Sequence, residues 1–459
     1  MLRLSRAQLI AVVLAALGLW IALVPPQAFS PSEAVVAGLA LAAIGLWATG
    51  AMPEALTALL FFLFCMLFKA APAKVVFSGF TSQAFWLLFA GVVFGSAIKA
   101  TGLGDRAAHA IGRAMGRSFA QALFGVILLG VGLAFLMPSS LGRVVLLVPL
   151  LTALASHLGY ETGGKGWNGL VLGGIMSTFL FAFSILPSNI PNMVLAGSAE
   201  AMLGIVLGYS DYFVSTFPVL GLAKLAILYA VLWGLYRGQE PTKLEEPPPG
   251  PMSAPERRLA LLLALAIGLW MTDTLHHISS AWVGLAVAIL CLTPKTGILP
   301  PKSLAATNFE PLFYVAGVIG LGAVIDHAGV GRLVGNVLID VLPLEAGGGF
   351  LNFMSLAALA SGVGMATTLP GVPAVLTPFA PTLAEATGLP IAAVLMTQVA
   401  GYSTLILPYQ APPVMTGLQL AQARYWDFAR LCLIMAALTA VLLWPLDYLW
   451  LNLIGKMGG

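Results

Sequence analysis

Long apolar runs with almost no charge constrain this chain more than any other feature of its sequence. Only 8% of the 459 residues are charged, whereas 59% are hydrophobic. A helix needs about 20 apolar residues to cross a bilayer, and soluble proteins carry roughly 25% charged residues. The sequence therefore predicts an all-α polytopic membrane protein. A transmembrane β-barrel is disfavoured, because its strands alternate apolar and polar residues.

The apolar runs divide into single spans, interrupted spans and hairpins. Two runs, residues 168–206 and 391–421, exceed one straight span and carry proline and amide side chains in the middle. Two others, about 118–158 and 347–388, have a polar or Pro/Gly-rich break at the centre, which favours re-entrant helical hairpins. The chain is therefore predicted to hold about eleven transmembrane spans plus two hairpins. The single spans are expected at residues 8–25, 34–50, 53–70, 83–100, 211–236, 258–274, 279–296, 309–327 and 429–452.

The distribution of basic residues predicts the orientation in the membrane. Lysine and arginine concentrate on the cytoplasmic side of such proteins, and Arg3 and Arg6 precede the first span. The N-terminus is therefore expected in the cytoplasm and, with an odd number of spans, the C-terminus outside the cell (inner) membrane. The first hairpin would enter from inside and the second from outside. The net charge of +3 is spread along the chain, without a basic cluster that would indicate a nucleic-acid partner.

Three motifs occur twice, in the same order and at a nearly constant offset. GLWATGAMPEALTALL begins at Gly45, and GLWMTDTLHHISSAWV begins 223 residues later at Gly268. Two further pairs, ending in GLGDR and GVGR or beginning with LPSNIPNMV and LPYQAPPVM, are offset by 226 and 221 residues. Each copy would hold five spans, so the second is predicted to be inverted, a pattern typical of secondary transporters. The predicted organisation is a first span at 1–32, a first repeat at 33–236, a cytoplasmic linker at 237–257 and a second repeat at 258–459.

Polar groups at the two proline motifs predict a ligand site. An unwound stretch inside a membrane helix is tolerated only where it is buried in protein or lines a cavity. Half-helix N-termini attract anions, and unwound carbonyls can bind a cation. One interrupted span alone could be a proline kink, but two corresponding ones favour a binding site. Its predicted residues are Ser188, Asn189 and Asn192 in the first motif and Tyr409 and Gln410 in the second.

The hairpins add hydroxyl groups and one arginine to this predicted site. Ser139 and Ser140 lie in the turn of the first hairpin, and Thr367 and Thr368 lie in that of the second. Such hydroxyls either cap the helix that follows or bond a bound oxyanion. Arg143 shares a helical face with the two serines. Charges at membrane depth are expensive and are functional by default.

Arg143 is predicted to contact the substrate, because a guanidinium can bind carboxylate or sulfate through two parallel hydrogen bonds. The alternative is a structural ion pair, but no acid is evident at comparable depth. A second intramembrane cation, Lys224, could pair with a distant acid, face an aqueous path or extend to the membrane surface. The acids considered, all nearer the membrane boundaries, are Glu54, Glu310, Asp326 and Glu385.

These features together resemble the divalent anion:sodium symporter (DASS) family over nearly the whole chain. The resemblance rests on WATGAMPEALTALL, the glycine-rich fourth span that leads to GLGDR, the two hairpins and the paired PSNIPN and QAPP motifs. It implies dicarboxylate, citrate or sulfate as substrate, and a homodimer. It also implies an elevator mechanism, in which the hairpins and interrupted spans move against a scaffold formed by the other spans.

The hairpin turns depart from the family pattern, which is Ser-Asn-Thr at both turns and helps to bind sodium and substrate carboxylate. A sodium ion, where one binds, is expected at Ser139, Ser140, Ser188 and Thr368. Transport is nevertheless predicted to need fewer sodium ions than the family norm, or none, with exchange or proton coupling instead, since both asparagines are absent. The residues that match the pattern are Ser139, Ser140 and Leu141 in the first turn and Thr368, Leu369 and Pro370 in the second.

The sequence thus predicts a secondary active transporter of a small dianion, first of all a dicarboxylate, that works by alternating access in the lipid bilayer. The alternatives are a transporter of sulfate or another sulfur oxyanion, and an anion exchanger without sodium coupling. An anion channel is less favoured, because hairpins from opposite sides would close the centre. No cofactor and no enzymatic activity are expected, since the sequence shows neither a metal-ligand cluster nor a nucleophile–base pair at matching depth.

Overall fold

The structure confirms the all-α prediction. It is a computed structural model that describes residues 6–27, 29–104, 106, 118–137, 139–237, 240 and 250–458. These residues form α-helices joined by short 3-10 and π segments, and they contain no β-strand. Arg3 and most of the predicted linker, residues 238–239 and 241–249, lie outside the described residues.

Helices occupy every segment that was predicted to be a single span. Two of these spans contain a π-helical segment, one at Phe217–Ala223 and one at Thr439–Leu443. The helices of the single spans are Arg6–Leu23, Pro31–Thr49, Glu54–Leu67, Gln83–Thr101, Tyr209–Thr216 with Lys224–Tyr236, Ala254–Met271, Ser280–Leu292, Glu310–His327, and Tyr425–Leu438 with Trp444–Leu453. Shorter helices connect them at Ala73–Val76, Ser78–Thr81, Asp273–His276 and Val330–Val341.

Several of these helices can cross a membrane on their own. Within the described part of the chain, seven helices are long and apolar enough for a full span, and one bent pair raises the number to eight. The bent pair, Gly371–Thr387 and Ile391–Tyr402, turns by 120°. Four shorter apolar helices, such as Glu54–Leu67 and Ser280–Leu292, fall below that length. The chain is therefore an integral membrane protein, and the count of eleven spans stays a prediction.

Both interrupted spans unwind at the proline motifs. The helix Lys165–Phe181 ends in two 3-10 turns before the helix Ile190–Leu203 begins. The helix Ile391–Tyr402 is likewise separated from the helix Pro412–Ala421 by an irregular stretch with one 3-10 turn. We name residues 182–189 the first break and residues 403–411 the second break.

The two predicted hairpins are each a pair of helices with a short non-helical turn between them. In the first, the helices are Phe119–Leu136 and Ser140–His157; in the second, Gly349–Ala366 is followed by Gly371–Leu376 and then Ala380–Thr387. We name residues 137–139 the first tip and residues 367–370 the second tip. Residue 138 lies outside the described residues.

Each hairpin packs against helices of both halves of the chain. The helix after the first break, Ile190–Leu203, contacts Gly371–Leu376, which follows the second tip. The helix after the second break, Pro412–Ala421, contacts Ser140–His157, which follows the first tip. Glycine permits one of the closest approaches, because an added Cβ at Gly401 would lie 2.3 Å from Ala360 Cβ. This interlocked packing positions both tips against the breaks.

Candidate functional site

The guanidinium of Arg143 lies at the first tip, enclosed by protein oxygens. Its Nη1 donates to the carbonyl of Met137 and, at 3.0 Å each, to the carbonyl and the hydroxyl of Ser188. Its Nη2 donates to Ser140 Oγ at 3.0 Å and to the Thr178 carbonyl at 3.4 Å. Its Nε donates to Thr178 Oγ1 at 3.1 Å. The side chain is 0% exposed, so the arginine joins the first tip, the first break and the helix Lys165–Phe181.

The oxygens around Arg143 are all neutral. The described residues place no carboxylate within 4.0 Å of its nitrogens. Three carbonyls and three hydroxyls therefore stabilise a buried positive charge without an ion pair, which agrees with the missing acid in the sequence. Each guanidinium nitrogen already donates to a protein acceptor. Arg143 could therefore bind a substrate through two parallel hydrogen bonds only if some of these contacts were broken. We name this set of six oxygens the arginine cage.

Serine residues at the first tip hold the helix that carries Arg143. Ser139 is the N-cap of Ser140–His157, and its Oγ accepts from the amide of Gly142 at 3.1 Å. Such a cap contributes about 1 kcal/mol. Ser188, from the first break, donates its hydroxyl to the Ala134 carbonyl at 2.8 Å while it accepts from Arg143. Three of the four predicted sodium ligands, Ser139, Ser140 and Ser188, thus already accept hydrogen bonds from protein groups.

Two asparagines organise the first break. Asn189 is the N-cap of the helix Ile190–Leu203, and its Oδ1 accepts from the Asn192 amide at 3.1 Å. The Nδ2 group of Asn189 is buried and has no hydrogen-bond partner among the described residues. Asn192 donates instead to three carbonyls of the break, the nearest that of Ile185 at 2.9 Å. The amide group of Asn192 therefore holds the first break together, whereas Asn189 keeps an unpartnered amide group at a helix N-terminus.

A tyrosine pair connects the first break to the second. Tyr402, the last helical residue before the second break, donates its hydroxyl to Asn192 Oδ1 at 3.1 Å. Its hydroxyl also lies 3.3 Å from that of Tyr212, which donates to the Phe183 carbonyl at 2.9 Å. All these side chains are buried. The two interrupted spans are thereby fixed to each other through polar contacts.

Gln410 organises the second break in a similar way to Asn189. Its Oε1 accepts from the amides of Ile406 at 2.8 Å and Leu407 at 2.7 Å. Its backbone carbonyl accepts from the Leu369 amide at 3.1 Å, which joins the second tip to the second break. The Nε2 group of Gln410 is buried and, within the described part of the chain, unpartnered. Of the three predicted amide residues, Asn189 and Gln410 thus each carry an unpartnered NH2 group.

The second tip and the exposed end of the second break differ from this buried region. Thr367 and Thr368 line a cleft toward two other helices, where Trp47 and Tyr314 face them. The Thr367 hydroxyl donates to the Val363 carbonyl at 2.8 Å, as a helix-end hydroxyl commonly does. The cleft residues that complete the lining are Ile44, Ala48, Val318, Gly371, Ala374 and Val375.

Tyr409 points away from the buried region. It is 41% exposed, and its hydroxyl donates to the carbonyl of Met365 at 2.7 Å. This contact fixes the second break to the end of the helix Gly349–Ala366. The structure therefore places Tyr409 at the edge of the predicted site rather than at its centre.

Lys224 reaches the second break and does not extend to the membrane surface. Its Nζ donates to the carbonyl of Ser403 at 2.9 Å and to its hydroxyl at 3.0 Å. The side chain is buried, and so is that of Asp447, with which it interacts electrostatically. The structure thus excludes extension to the membrane surface, and Lys224 bonds Ser403 without an ion pair within 4.0 Å to any described residue. Asp447, the acid with which it interacts, was not among the acids considered from the sequence.

Several residues of this region were not predicted from the sequence, and the sequence pattern indicates a functional role for only one of them. Asp447 lies within the apolar stretch LLWPLDYLWL, 223 residues after Lys224, and an intramembrane acid is functional by default. Thr178, Tyr402 and Ser403 had no comparable signal, because single hydroxyls in apolar helices are common and mostly bond their own backbone.

Comparisons with known proteins agree with this architecture. A family model described as the sodium:sulfate symporter transmembrane region matches residues 5–457. A membrane protein of Cupriavidus necator is 26% identical over 374 residues, 77% of this chain and 72% of that protein. The L-tartrate/succinate antiporter of Escherichia coli K12 is 24% identical over 295 residues, 60% of this chain and 59% of the antiporter.

A solved structure supports the fold. The YdaH transporter of Alcanivorax borkumensis superimposes with a TM-score of 0.55 at 16% identity, and the match covers 87% of this chain and 90% of that chain. At this identity the likeness concerns the fold alone. The family match, in contrast, extends along almost the whole chain. The protein therefore belongs to the sodium:sulfate symporter family, the divalent anion:sodium symporters, which are membrane transporters and not enzymes.

Proposed function

We propose that this protein is a secondary transporter of a small dianion, first of all a dicarboxylate, and that it exchanges anions without needing sodium. The family match supports anion transport, and a relative is named an L-tartrate/succinate antiporter. The relative shares only part of its length with this chain, so its substrates enter here as a proposal. Alternating access, without covalent chemistry, moves the anion.

The arginine cage is the observation that carries this proposal. Carbonyl and hydroxyl oxygens are the ligands that hard cations prefer, and here a guanidinium occupies such a set. Two like charges about 6 Å apart repel by roughly 3 kcal/mol at an effective dielectric of 20. Arg143 would therefore disfavour a nearby sodium ion and supply a permanent positive charge for the anion.

The two unpartnered amide groups are the proposed direct contacts of the anion. Asn189 Nδ2 and Gln410 Nε2 are buried donors without acceptors among the described residues, and a buried unpaired donor costs about 1–3 kcal/mol. A carboxylate or sulfate oxygen would satisfy them. The helix N-terminus at Ile190 adds a partial positive charge on the same side of the first break. Ser139, Ser140, Thr367 and Thr368 complete the proposed surroundings.

The finer architecture also remains our proposal. We infer eleven spans, two inverted repeats, re-entrant hairpins and an elevator motion, because both breaks and both tips occur at corresponding places along the chain. A homodimer in the cell (inner) membrane, with the N-terminus in the cytoplasm and the C-terminus outside, rests on the family resemblance and the distribution of basic residues. Labelling of single introduced cysteines from either side of the membrane tests the orientation.

Exchange in proteoliposomes tests the function. Purified protein is reconstituted into vesicles loaded with unlabelled succinate, and uptake of labelled succinate is measured in sodium and in choline buffer at equal pH. We expect equal uptake in both buffers, and slower uptake into vesicles that contain no anion as long as the pH is equal on both sides of the membrane. Steep, cooperative activation by sodium would show that the oxygens of the site bind sodium despite Arg143.

Sulfate is the second candidate, because the matching family is described as sodium:sulfate symporters. Vesicles loaded with sulfate and supplied with labelled sulfate, in the same buffers, distinguish the two classes of substrate. Sulfate exchange without succinate exchange would assign a sulfur oxyanion as substrate. Uptake of neither anion, nor of tartrate, from folded protein would contradict dianion transport.

A further inference from the structure

Two charged side chains lie buried in the membrane-spanning part, outside the proposed anion site. Lys224 is 1% exposed and Asp447 is 2% exposed. Lys224 directly follows the π-helical segment Phe217–Ala223, and Asp447 follows the π-helical segment Thr439–Leu443 within one turn. π-Helical segments inside α-helices are rare and frequently mark functional sites.

The two residues occupy corresponding positions of the two halves. Asp447 lies 223 residues after Lys224, and the repeated sequence motifs are separated by nearly the same distance. The two π-helical segments contact each other, and the helix of Asp447 contacts the segment that precedes Lys224. The duplicated spans therefore meet where one contributes a cation and the other an acid.

The two residues of the pair differ in their hydrogen bonds. Lys224 Nζ donates to the carbonyl and the hydroxyl of Ser403, the first residue of the second break. Asp447 Oδ1 is buried and has no hydrogen-bond partner among the described residues. No ion pair within 4.0 Å joins these two residues, although they interact electrostatically. A buried carboxylate oxygen without a donor is expensive, so a proton would satisfy it.

We propose that Asp447 and Lys224 form an intramembrane proton-binding site that is coupled to the second break. A proton adds to Oδ1 of Asp447 and gives a neutral carboxylic acid, while Lys224 stays bound to Ser403. When the proton leaves, the carboxylate attracts the flexible ammonium group away from Ser403. The second break loses two hydrogen bonds in that step, which links proton release to its conformation. Only the coupling to anion movement rests on the proposed function.

The surrounding helices supply one further titratable group that faces the pair. Tyr212 interacts electrostatically with Asp447 and shares a hydrogen bond with Tyr402. Asp211 is paired with Lys456. The remaining titratable groups on the two helices and on the helices packed against them are Lys165, Tyr209, Tyr229, Tyr236, Tyr425, Asp427, Arg430, Cys432 and Tyr448.

Infrared spectroscopy measures proton binding directly and without any anion. The full-length protein in lipid is titrated from high to low pH, and the carbonyl stretch of a protonated carboxyl group is followed. We expect one band that the wild type shows and Asp447→Asn lacks. The matched control is Asp211→Asn, the same chemical change on a packed neighbouring helix, which should retain the band. A spectrum of Asp447→Asn that equals the wild type would overturn the proposal.

Transport tests the coupling. In proteoliposomes, valinomycin and equal potassium concentrations on both sides hold the membrane potential at zero. An inward proton gradient is then applied, and the accumulation of labelled succinate, tartrate or sulfate is measured. Coupling of one proton predicts about tenfold accumulation per pH unit in the wild type and in Asp211→Asn, and none in Asp447→Asn. Equal accumulation in Asp447→Asn and the wild type would overturn the coupling.

Two controls distinguish a failure of the proton-binding proposal from a failure of the proposed function. Anion exchange at equal pH reports the proposed function separately, so its absence in the wild type would contradict that function and leave the infrared result to decide on proton binding. The double variant Lys224→Gln with Asp447→Asn removes both charges and avoids an unpaired buried cation. Its band and its pH-driven accumulation should both be absent; retention of either would overturn the proposal.

Discussion

The two breaks each receive a positive side chain, but they receive it in different ways. At the first break, the cation is Arg143 from the adjoining hairpin, and six neutral oxygens surround it. At the second break, the cation is Lys224 from another span, and both of its hydrogen bonds go to one residue, Ser403. The first arrangement fixes a charge, because a guanidinium stays protonated. The second leaves a flexible ammonium group near an acid.

The two tips also differ in the contacts that hold them. The first tip is held by the Ser139 cap and by the bond from Arg143 to the Met137 carbonyl. At the second tip, Leu369 replaces such side-chain contacts with a backbone hydrogen bond to Gln410, and the threonines face a cleft. Two segments with similar sequence motifs can therefore hold different cations. The comparison indicates a cation with fixed contacts in the first half and a flexible cation beside an acid in the second.

The largest effect is expected from removal of the permanent charge. Arg143→Ala should reduce anion exchange by about 100-fold, because unit charges about 6 Å apart attract by roughly 3 kcal/mol at an effective dielectric of 20 and 1.4 kcal/mol is tenfold. Thermal stability should fall as well, since the cage loses its donor. Arg143→Lys should restore little of the exchange, because an ammonium group lacks the planar arrangement of N–H donors of a guanidinium.

The response of the Arg143→Ala variant to sodium tests whether the oxygens of the arginine cage can bind a cation. In Arg143→Ala the vacated oxygens form a site of the kind that hard cations prefer, so sodium should restore part of the exchange and choline should not. The control is Arg258→Ala, which removes an exposed arginine bonded to the Thr296 carbonyl. Near-normal uptake by Arg143→Ala in choline would remove this residue from the site.

The next largest effect is expected at the second break. Gln410→Glu keeps an oxygen for the amides of Ile406 and Leu407 but replaces the free Nε2 group with a negative charge. The apparent affinity for the dianion should fall by roughly 10- to 100-fold, in line with about 1.5–3 kcal/mol of like-charge repulsion. Gln419→Glu, the same change at an exposed position, should leave the KM unchanged. An unchanged KM in Gln410→Glu would exclude Gln410 from the anion site.

A smaller effect is expected at the first break, where Arg143 continues to supply charge. Asn189→Ser keeps a good N-cap for the helix Ile190–Leu203 and removes only the unpartnered Nδ2 donor. The KM should rise by about three- to tenfold, the value of one neutral hydrogen bond of about 1 kcal/mol, with little change in Tm. Asn189→Ala, which also loses the cap, should lower Tm further. A loss of stability in Asn189→Ser as large as in Asn189→Ala would show that the binding role is wrong.

The smallest effect is expected from the exposed end of the second break. Tyr409→Phe removes one hydrogen bond to the Met365 carbonyl from a side chain that is 41% exposed. Exchange should change by no more than about threefold, because such a bond contributes about 0.5–1.5 kcal/mol and water or lipid headgroups can replace it. The initial rate of exchange measures this. A loss comparable with that of Gln410→Glu would move Tyr409 into the centre of the site.

Much of the architecture could be predicted from local sequence. Lipid cannot bond backbone groups, so every apolar run of sufficient length must be helical. The prolines and amides at Leu186–Asn192 and Leu407–Pro413 could not continue such a helix, and the structure unwinds at both. The positions of Arg143 and its serines within one helical turn followed from the same reasoning. These features depend on composition and periodicity, which act on each segment separately.

The partners of the buried charges were decided only by the tertiary structure. Arg143 meets residues 35 and 45 positions away, and Lys224 meets Ser403 at a separation of 179. Whether a buried polar side chain bonds its own backbone, a neighbouring helix or a ligand depends on which acceptors the packing brings near it. The sequence by itself determined that this chain is helical, crosses the membrane and interrupts two spans. The packing decided that Arg143 fills a cage of neutral oxygens, that Asn189 and Gln410 keep free donors, and that Lys224 bonds the second break. The physical reason is that desolvation makes every buried charge depend on contacts distant in the chain.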